Sequence, residues 1–321
     1  MPSLTGIAIL DDYQNVALSM ADWASLGTEV SIQSFHEPLG NEEAVAERLR
    51  DFEIIVAMRE RTPFPRSLIE RLPNLKLLVT TGRRNAAIDV AAATEKGVPV
   101  SGTSTLSTPT VELTWGLILA LARRIPQEAE AMRRGGWQTT IGVGLHGKVL
   151  GVIGLGRLGS EVARIGKAFG MEVIAWSQNL TAEQAGAAGA QHVDKETLFR
   201  RADVVTVHLV LSARTRGLVG AAEFAAMKPT AILINTARGP IVDEQALLAA
   251  LRSQRIAGAG LDVYDREPLP PEHALRRLDN VVLTPHLGYV TVENYREAYG
   301  QAVENIRAFL EGNPIRVIQA P

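Results

Sequence analysis

Cysteine is absent from the 321 residues. That excludes disulfides, thiolate catalysis and cysteine zinc sites, and leaves the redox compartment undetermined by this route. An excess of charge of one sign is also missing. The formal net charge of -2 gives no broad basic field for nucleic-acid phosphates or anionic lipid, so neither partner is expected. Long hydrophobic runs are lacking: the most apolar stretch, residues 113–122, falls well short of the ~20 residues that span a bilayer, and Glu112 precedes it. The start, Met1-Pro2-Ser3-Leu4-Thr5-Gly6, has no basic segment leading into an apolar one, and Ile7 to Leu10 runs straight into Asp11-Asp12. With no address visible, a cytoplasmic location is expected by default. No repeat of fixed short period and no low-complexity tract occurs.

What is present reads as a folded α/β protein. Hydrophobic residues make up 46% and charged residues 21%, far from the profile of disorder, and the length suits roughly two domains. In the first hundred residues, β-rich runs at 6–10, 29–34, 54–57, 77–80 and 98–100 alternate with helical patterns at 42–50, 66–71 and 88–96. Such alternation implies βα crossovers and a parallel sheet. Helical spacing over 108–124 stops at Pro126, where a helix should end. After Gly135-Gly136 the alternation restarts, with strands at 149–153, 172–176, 204–209, 231–235, 258–262 and 281–283 and helices at 160–169, 195–200, 221–226 and 243–253. Six strands suit a dinucleotide-binding sheet. Residues 292–311 read as a last helix, closed by Gly312-Asn313-Pro314, that could return to either lobe.

The strand at 149–153 leads into Gly154-Leu155-Gly156-Arg157-Leu158-Gly159, and a helical pattern follows at once. This is G-x-G-x-x-G in the strand-turn-helix context that gives the string meaning; alone it also describes an ordinary tight βα turn. Gly154 permits the turn, Gly156 lets a pyrophosphate approach the backbone, and Gly159 lets helix and strand pack closely. The phosphates would meet unpaired N–H groups at the helix start. An acidic residue is then expected at the end of the second strand to hold the ribose hydroxyls. Ser177 stands there instead, within Ala175-Trp176-Ser177-Gln178-Asn179. The missing carboxylate removes a repulsion against a 2'-phosphate, while Gln178 and Asn179 supply no cation to attract one. The cofactor reads as NAD, with NADP open.

Three later strands end in polar residues, on the edge where a doubly wound sheet places its ligand. Asn235-Thr236-Ala237-Arg238-Gly239-Pro240 follows one, Asp262 ends another, and Thr284-Pro285-His286-Leu287-Gly288 follows the third. Glu267 lies in the loop after Asp262, nineteen residues before His286. Reduction of a keto acid needs a cation beside carbonyl and carboxylate, a proton donor and a hydride source. Arg238 suits the first with its planar fork, and His286 the second because imidazole titrates near neutrality. An ionised Glu267 beside it would favour the imidazolium, and Asp262 could hold a carboxamide or steady that cation. Singly, such residues are commonly surface ion pairs or solvated loop groups. Their shared edge beyond one glycine-rich turn carries the reading. His36, His146, His192, His208 and His273 have no comparable setting, no pair has metal-ligand spacing, and no metal is assigned.

Residues 147–159, Asn235 to Gly239, Leu261-Asp262-Val263-Tyr264 through Glu267-Pro268-Leu269-Pro270, and Leu283 to Gly288 together resemble the D-isomer-specific 2-hydroxyacid dehydrogenases, over nearly the whole chain. The resemblance implies an α/β protein of two doubly wound parallel-sheet domains, a Rossmann cofactor domain at 102–289 inserted into a flavodoxin-like substrate domain of residues 1–101 and 290–321. It implies a homodimer formed largely through the cofactor domains, with the helix after Gly102 crossing the cleft. The expected activity is hydride transfer between NAD(P)(H) and a small 2-keto or D-2-hydroxy acid. The family's catalytic residues fall on Arg238, Glu267 and His286, and its nicotinamide-contacting Asp on Asp262. The cofactor would be lined by Gly154, Leu155, Gly156, Arg157, Leu158, Gly159, Ser177, His208, Val210, Ala237 and Gly288. The substrate loop falls on Thr81-Gly82-Arg83-Arg84-Asn85, with Arg59 nearby and Arg238 shared. Arg84 replaces a common Gly, adding charge that would suit a larger acidic substrate. His208-Leu209-Val210-Leu211 lacks the usual Pro.

Two rivals stand beside this reading. Formate dehydrogenase, a relative, pairs its His with Gln, and Glu267 argues against it. An NAD(H)-sensing module like the corepressors that resemble this fold keeps the same residues; turnover separates it from an enzyme.

Overall fold

A computed structural model describes residues 4–320 and divides them into two compact units. One comprises the residues up to Leu106 together with those from Val290 onward; the other is Ser107–Tyr289. The first junction thus lies a few residues beyond the expected one at 102.

The first segment supplies strands β1 (Thr5–Ile9), β2 (Val30–Ser34), β3 (Ile54–Ala57), β4 (Leu77–Thr80) and β5 (Val100–Gly102), with helices α1 (Ala17–Met20), α2 (Glu42–Leu49), α3 (Arg66–Glu70) and α4 (Val90–Glu95). All pairings are parallel, in the order β2-β1-β3-β4-β5, the flavodoxin-like arrangement. β3 and β4 are buried along their whole lengths, which explains the apolar sequence of β3 and the Leu77-Leu78-Val79 run that β4 closes with buried Thr80, since a parallel sheet is covered on both faces. The Asn41 side chain accepts from Ala44 N at 3.0 Å and starts α2, whose Val45, Ala46 and Leu49 face the core.

The second unit contains helices α5 (Thr108–Ala122), α6 (Ile125–Arg133), α7 (Arg157–Ala168), α8 (Ala182–Ala187), α9 (Lys195–Arg201), α10 (Ala221–Ala226) and α11 (Glu244–Arg252). Its strands are β6 (Val149–Ile153), β7 (Glu172–Trp176), β8 (Gln191–His192), β9 (Val204–Val207), β10 (Ile232–Asn235), β11 (Gly258–Leu261) and β12 (Val281–Leu283). They form one parallel sheet in the order β12-β11-β10-β9-β6-β7-β8, and the chain direction across it reverses at β6. This is the Rossmann order with one extra strand at the β12 edge, and ligands bind at such a reversal. Register aligns the strand ends: Ile153 pairs with Trp176 and Val207, Asn235 with Val207 and Leu261, and Leu261 with Leu283. Residues 154, 177, 208, 236, 262 and 284 therefore leave the sheet side by side. α12 (Val292–Leu310) returns to the first unit, burying Tyr295, Ala298, Tyr299, Ala302, Val303 and Ile306 at helical spacing.

Several expected elements shift. The helix over 108–124 ends at Ala122, Arg124 turns left-handed at φ 55, and Pro126 lies inside the first turn of α6. Proline terminates a helix interior but suits a first turn, where no N–H donor is needed, so it starts a helix here. The sheet has seven strands rather than six, because the two-residue β8 is too short to show alternation. α7 begins at Arg157, within the glycine motif, rather than at 160. β5 starts at Val100, not 98, because Val98 N closes α4 by donating to Ala93 O. α8 was unexpected, although Thr181 and Gln184 form a complete capping box.

Candidate functional site

The glycine-rich turn joins β6 to α7 inside the second unit. Gly154 has φ 94, and an added Cβ would lie 2.7 Å from His208 O, so both conformation and space demand glycine. Its N–H donates to Trp176 O at 2.9 Å, tying the turn to the end of β7. Gly156, the residue before α7, would meet nothing within 4 Å, which leaves its backbone open to a phosphate. These features fit a dinucleotide. At the reversal point His208 N donates to Ile153 O at 2.8 Å, and burial holds the His208 imidazole down at about 4, with Nε2 against Thr206 Oγ1 at 2.9 Å. The ring is neutral at pH 7. Val210, beyond it, is exposed.

Glu267 and His286 meet directly: Oε2 lies 2.6 Å from Nδ1, both side chains half-buried. The second carboxylate oxygen accepts from Tyr264 N at 2.9 Å, so the carboxylate is fixed at both ends. His286 itself stands at φ 57, a left-handed conformation uncommon for a residue with a side chain. The loop holding it there is fastened by Asp262. Its Oδ1 accepts from Thr284 Oγ1 and Leu287 N, each at 2.6 Å, and its Oδ2 from Gly288 N at 2.8 Å. Burial raises the Asp262 carboxyl above its ordinary range, opposed by those three bonds and by His286. The Tyr264 hydroxyl faces Leu261 O at 3.1 Å and Thr284 O at 2.9 Å, bridging the exits of β11 and β12. Burial, then the charges of Asp262 and Glu267, push that phenol upward, so it remains a donor.

Arg238 leaves the sheet after β10. Buried Asn235 donates to Arg238 O at 3.0 Å and accepts from Ala237 N at 3.0 Å, setting the backbone on both sides of the junction. Arg238 Nη1 donates to Ala237 O at 2.8 Å. At Gly239 an added Cβ would overlap the Tyr264 carbonyl, so the Arg238 loop packs backbone to backbone against the loop of Glu267. A line of hydroxyls runs from α5: Thr110 Oγ1 donates to Gly288 O at 2.7 Å, and Thr114 Oγ1 lies 2.9 Å from Thr236 Oγ1. The loops of Arg238, Glu267 and His286 thus share one braced edge, to which the expected Ala237, Asp262 and Gly288 also belong.

The expected substrate residues lie in the first unit, after β3 and β4. Arg59 is left-handed at φ 50, its N donating to Thr81 Oγ1 at 3.1 Å and its O accepting from Asn85 Nδ2 at 2.5 Å. A Cβ on Gly82 would lie 3.4 Å from Arg59 Nη1, so this guanidinium rests over the glycine. Arg83 and Arg84 are exposed on the same loop.

Thr110 and Thr114 were not anticipated, since they reach the edge only through α5. Asn235, Thr236, Tyr264 and Asn85 stood within the expected motifs, but the bracing their side chains do was not foreseen. Among the described residues no group of three or more His, Cys, Asp or Glu could hold a metal ion, and no helix is long and apolar enough to cross a membrane.

The model of the NAD-binding domain of D-isomer specific 2-hydroxyacid dehydrogenases matches residues 115–288. A D-3-phosphoglycerate dehydrogenase of Methanocaldococcus jannaschii is 41% identical over 274 residues, covering 84% of this chain and 52% of that one. The chain spans about half the length of that relative. A glyoxylate reductase of Aeropyrum pernix is 42% identical over 255 residues, 76% of each chain. Among solved structures, a putative D-3-phosphoglycerate dehydrogenase of Ralstonia solanacearum superposes with a TM-score of 0.92 at 37% identity, covering 98% of both chains.

Proposed function

Because the chain belongs to the D-isomer-specific 2-hydroxyacid dehydrogenase family, we propose that it interconverts a small 2-keto acid and its D-2-hydroxy acid, with Arg238, Glu267 and His286 as the reacting side chains. The 2.6 Å contact between Glu267 and His286 carries the reading. With Nδ1–H held by the carboxylate, the imidazolium presents Nε2–H to the carbonyl oxygen and delivers its proton as the alkoxide forms. Glu267 holds the Nδ1 proton and, with its second oxygen accepting from Tyr264 N, fixes the ring plane. Arg238 engages the substrate carboxylate and polarises the adjacent carbonyl.

The nicotinamide, when bound, supplies the hydride. Gly154 to Gly159, Ser177, the backbone at His208, Val210 and Ala237, and Gly288 hold that cofactor, while Asp262 keeps the His286 loop in place and retains acceptor capacity for a carboxamide. Recognition of the substrate acid by the first unit is assigned to Arg59, Gly82, Arg83 and Arg84.

Self-association as a homodimer is assigned to the second unit. The segment from α6 to β6 exposes Met132 at 54%, Trp137 at 73% and Ile141 at 94%, an apolar surface that a lone chain would leave in water. Light scattering of Trp137→Glu and Ile141→Glu variants should report the monomer mass where the parent reports twice that mass.

The deciding experiment is a steady-state screen of glyoxylate, hydroxypyruvate, pyruvate, bulkier keto acids and phosphohydroxypyruvate with both reduced cofactors. Consumption of NADH or NADPH with at least one of them is expected. Cofactor binding without turnover of any would replace the enzyme reading with a nicotinamide-sensing one.

A further inference from the structure

The end of β7 has a charge pattern that bears on which nicotinamide nucleotide the chain takes. Between Glu172, at the opposite end of that strand, and Glu183, in the first turn of α8, no residue is acidic and none is basic. Ser177 follows Trp176 directly, and Trp176 O accepts from Gly154 N at 2.9 Å, so Ser177 stands beside the glycine-rich turn. Leu180 N donates to Ser177 O at 3.1 Å, which closes a turn and leaves Gln178 and Asn179 exposed. Asp194, beyond β8, is committed elsewhere: it accepts from Thr197 N at 2.8 Å and Thr197 Oγ1 at 2.7 Å at the start of α9. Arg157, in the first turn of α7, is exposed and makes no hydrogen bond or ion pair among the described residues.

We propose that this neutral segment accepts NADH and NADPH without strong preference, and that Ser177 is the residue responsible. The inference rests on the dehydrogenase reading and sharpens its cofactor. A carboxylate at this place would favour NADH twice, by accepting from the ribose hydroxyls and by repelling a 2'-phosphate. A serine hydroxyl offers the 2'-OH one neutral partner and offers a phosphate one donor with no repulsion. The solvated Arg157 guanidinium adds an attraction of at most about fivefold for the phosphorylated form, the ordinary size of an exposed charge pair. Neither nucleotide gains enough to exclude the other.

The test is direct binding, read by quenching of tryptophan fluorescence, with Trp176 next to the site, and by calorimetry. NADH, NADPH, ADP-ribose and 2'-phospho-ADP-ribose are titrated into the full chain. The two members of each pair should bind with dissociation constants within tenfold, and added salt should weaken the phosphorylated member more. Ser177→Asp should lower affinity for NADPH on the order of 100-fold while sparing NADH; Ser177→Ala should leave the ratio within tenfold. A parent ratio beyond tenfold in either direction overturns the proposal. So does a ratio that Ser177→Asp, folded by circular dichroism, fails to move. If neither nucleotide binds at all, the cofactor reading beneath the proposal fails with it.

Discussion

The two parallel sheets of this chain end in edges built on opposite principles. In the second unit nearly every polar side chain at the edge is committed: Glu267 to His286 and Tyr264 N, Asp262 to three donors, Asn235 to the backbone on both sides of Arg238. In the first unit the bracing is done by Thr81 and Asn85, while Arg83 and Arg84 stand exposed with no ion pair among the described residues. Both edges hold a functional candidate in a left-handed conformation, Arg59 at φ 50 and His286 at φ 57. Under the proposed function, the difference follows from what the groups at each edge would be for. Proton transfer needs geometry fixed before the substrate arrives, whereas binding an anion needs cations within reach of it; Arg83 and Arg84 stand exposed, while Arg59 Nε lies 3.7 Å from a Glu60 carboxylate oxygen.

Removing the proposed proton donor would break the comparison most severely. His286→Ala should cut keto-acid reduction by roughly 10²–10⁴-fold, the usual worth of a positioned general acid, with cofactor affinity unchanged. Steady-state kinetics beside a binding titration checks both halves. If turnover survives within tenfold, the second edge does not hold the proton donor.

The next effect is smaller because it works through position. Asn235→Ala frees the backbone at Ala237 and Arg238 without deleting any group assigned to the substrate. A fall in kcat of roughly 10–100-fold is expected, since misplacement by about an ångström costs that much. Equal loss of kcat and of thermal stability, with kcat restored at low temperature, would mark a purely structural residue.

Arg84→Gln tests the other edge. Losing a solvated cation should raise KM for the keto acid by about fivefold or less, with kcat unchanged and the effect fading at high salt. A drop in kcat with KM constant would place Arg84 among the reacting groups and dissolve the contrast.

Much of this architecture is legible in the residues, and the illegible parts share a cause. β3, β4, β9 and β10 are read from short, mostly apolar runs, because burial on both faces leaves a mark that needs no partner information. The glycine turn is legible because Gly154 answers a local steric demand. Arg238, Glu267 and His286 stand out as polar residues just past such runs, and the parallel register brings those strand exits together. Tyr264 and Thr110 are invisible by contrast, since their value arises only when β11, β12 and α5 meet. Pro126 has two meanings: α5 stops before it as expected, but the same proline also suits the first turn of α6, and that second meaning depends on the left-handed Arg124 before it.

The finest distinction concerns His208, a histidine at the same edge as His286 but held differently. Burial keeps its imidazole neutral down to about 4, so the unfolded chain takes up a proton before the folded one as the medium is acidified. Its contribution to stability is therefore complete above the ordinary histidine value of 6.5 and is lost as pH falls from there toward 4. Buried Asp262 and Asp11, whose carboxyls are raised, act in the opposite direction as the medium acidifies, so the total curve hides the effect. Comparing the parent with His208→Gln removes them, since both proteins carry the same aspartates. Urea midpoints measured at pH 7.5, 6 and 5 should show the parent losing ground to the variant at each step. A constant difference would mean that His208 stays neutral in the unfolded chain or charged in the folded one, and that the two histidines of this edge are not held differently after all.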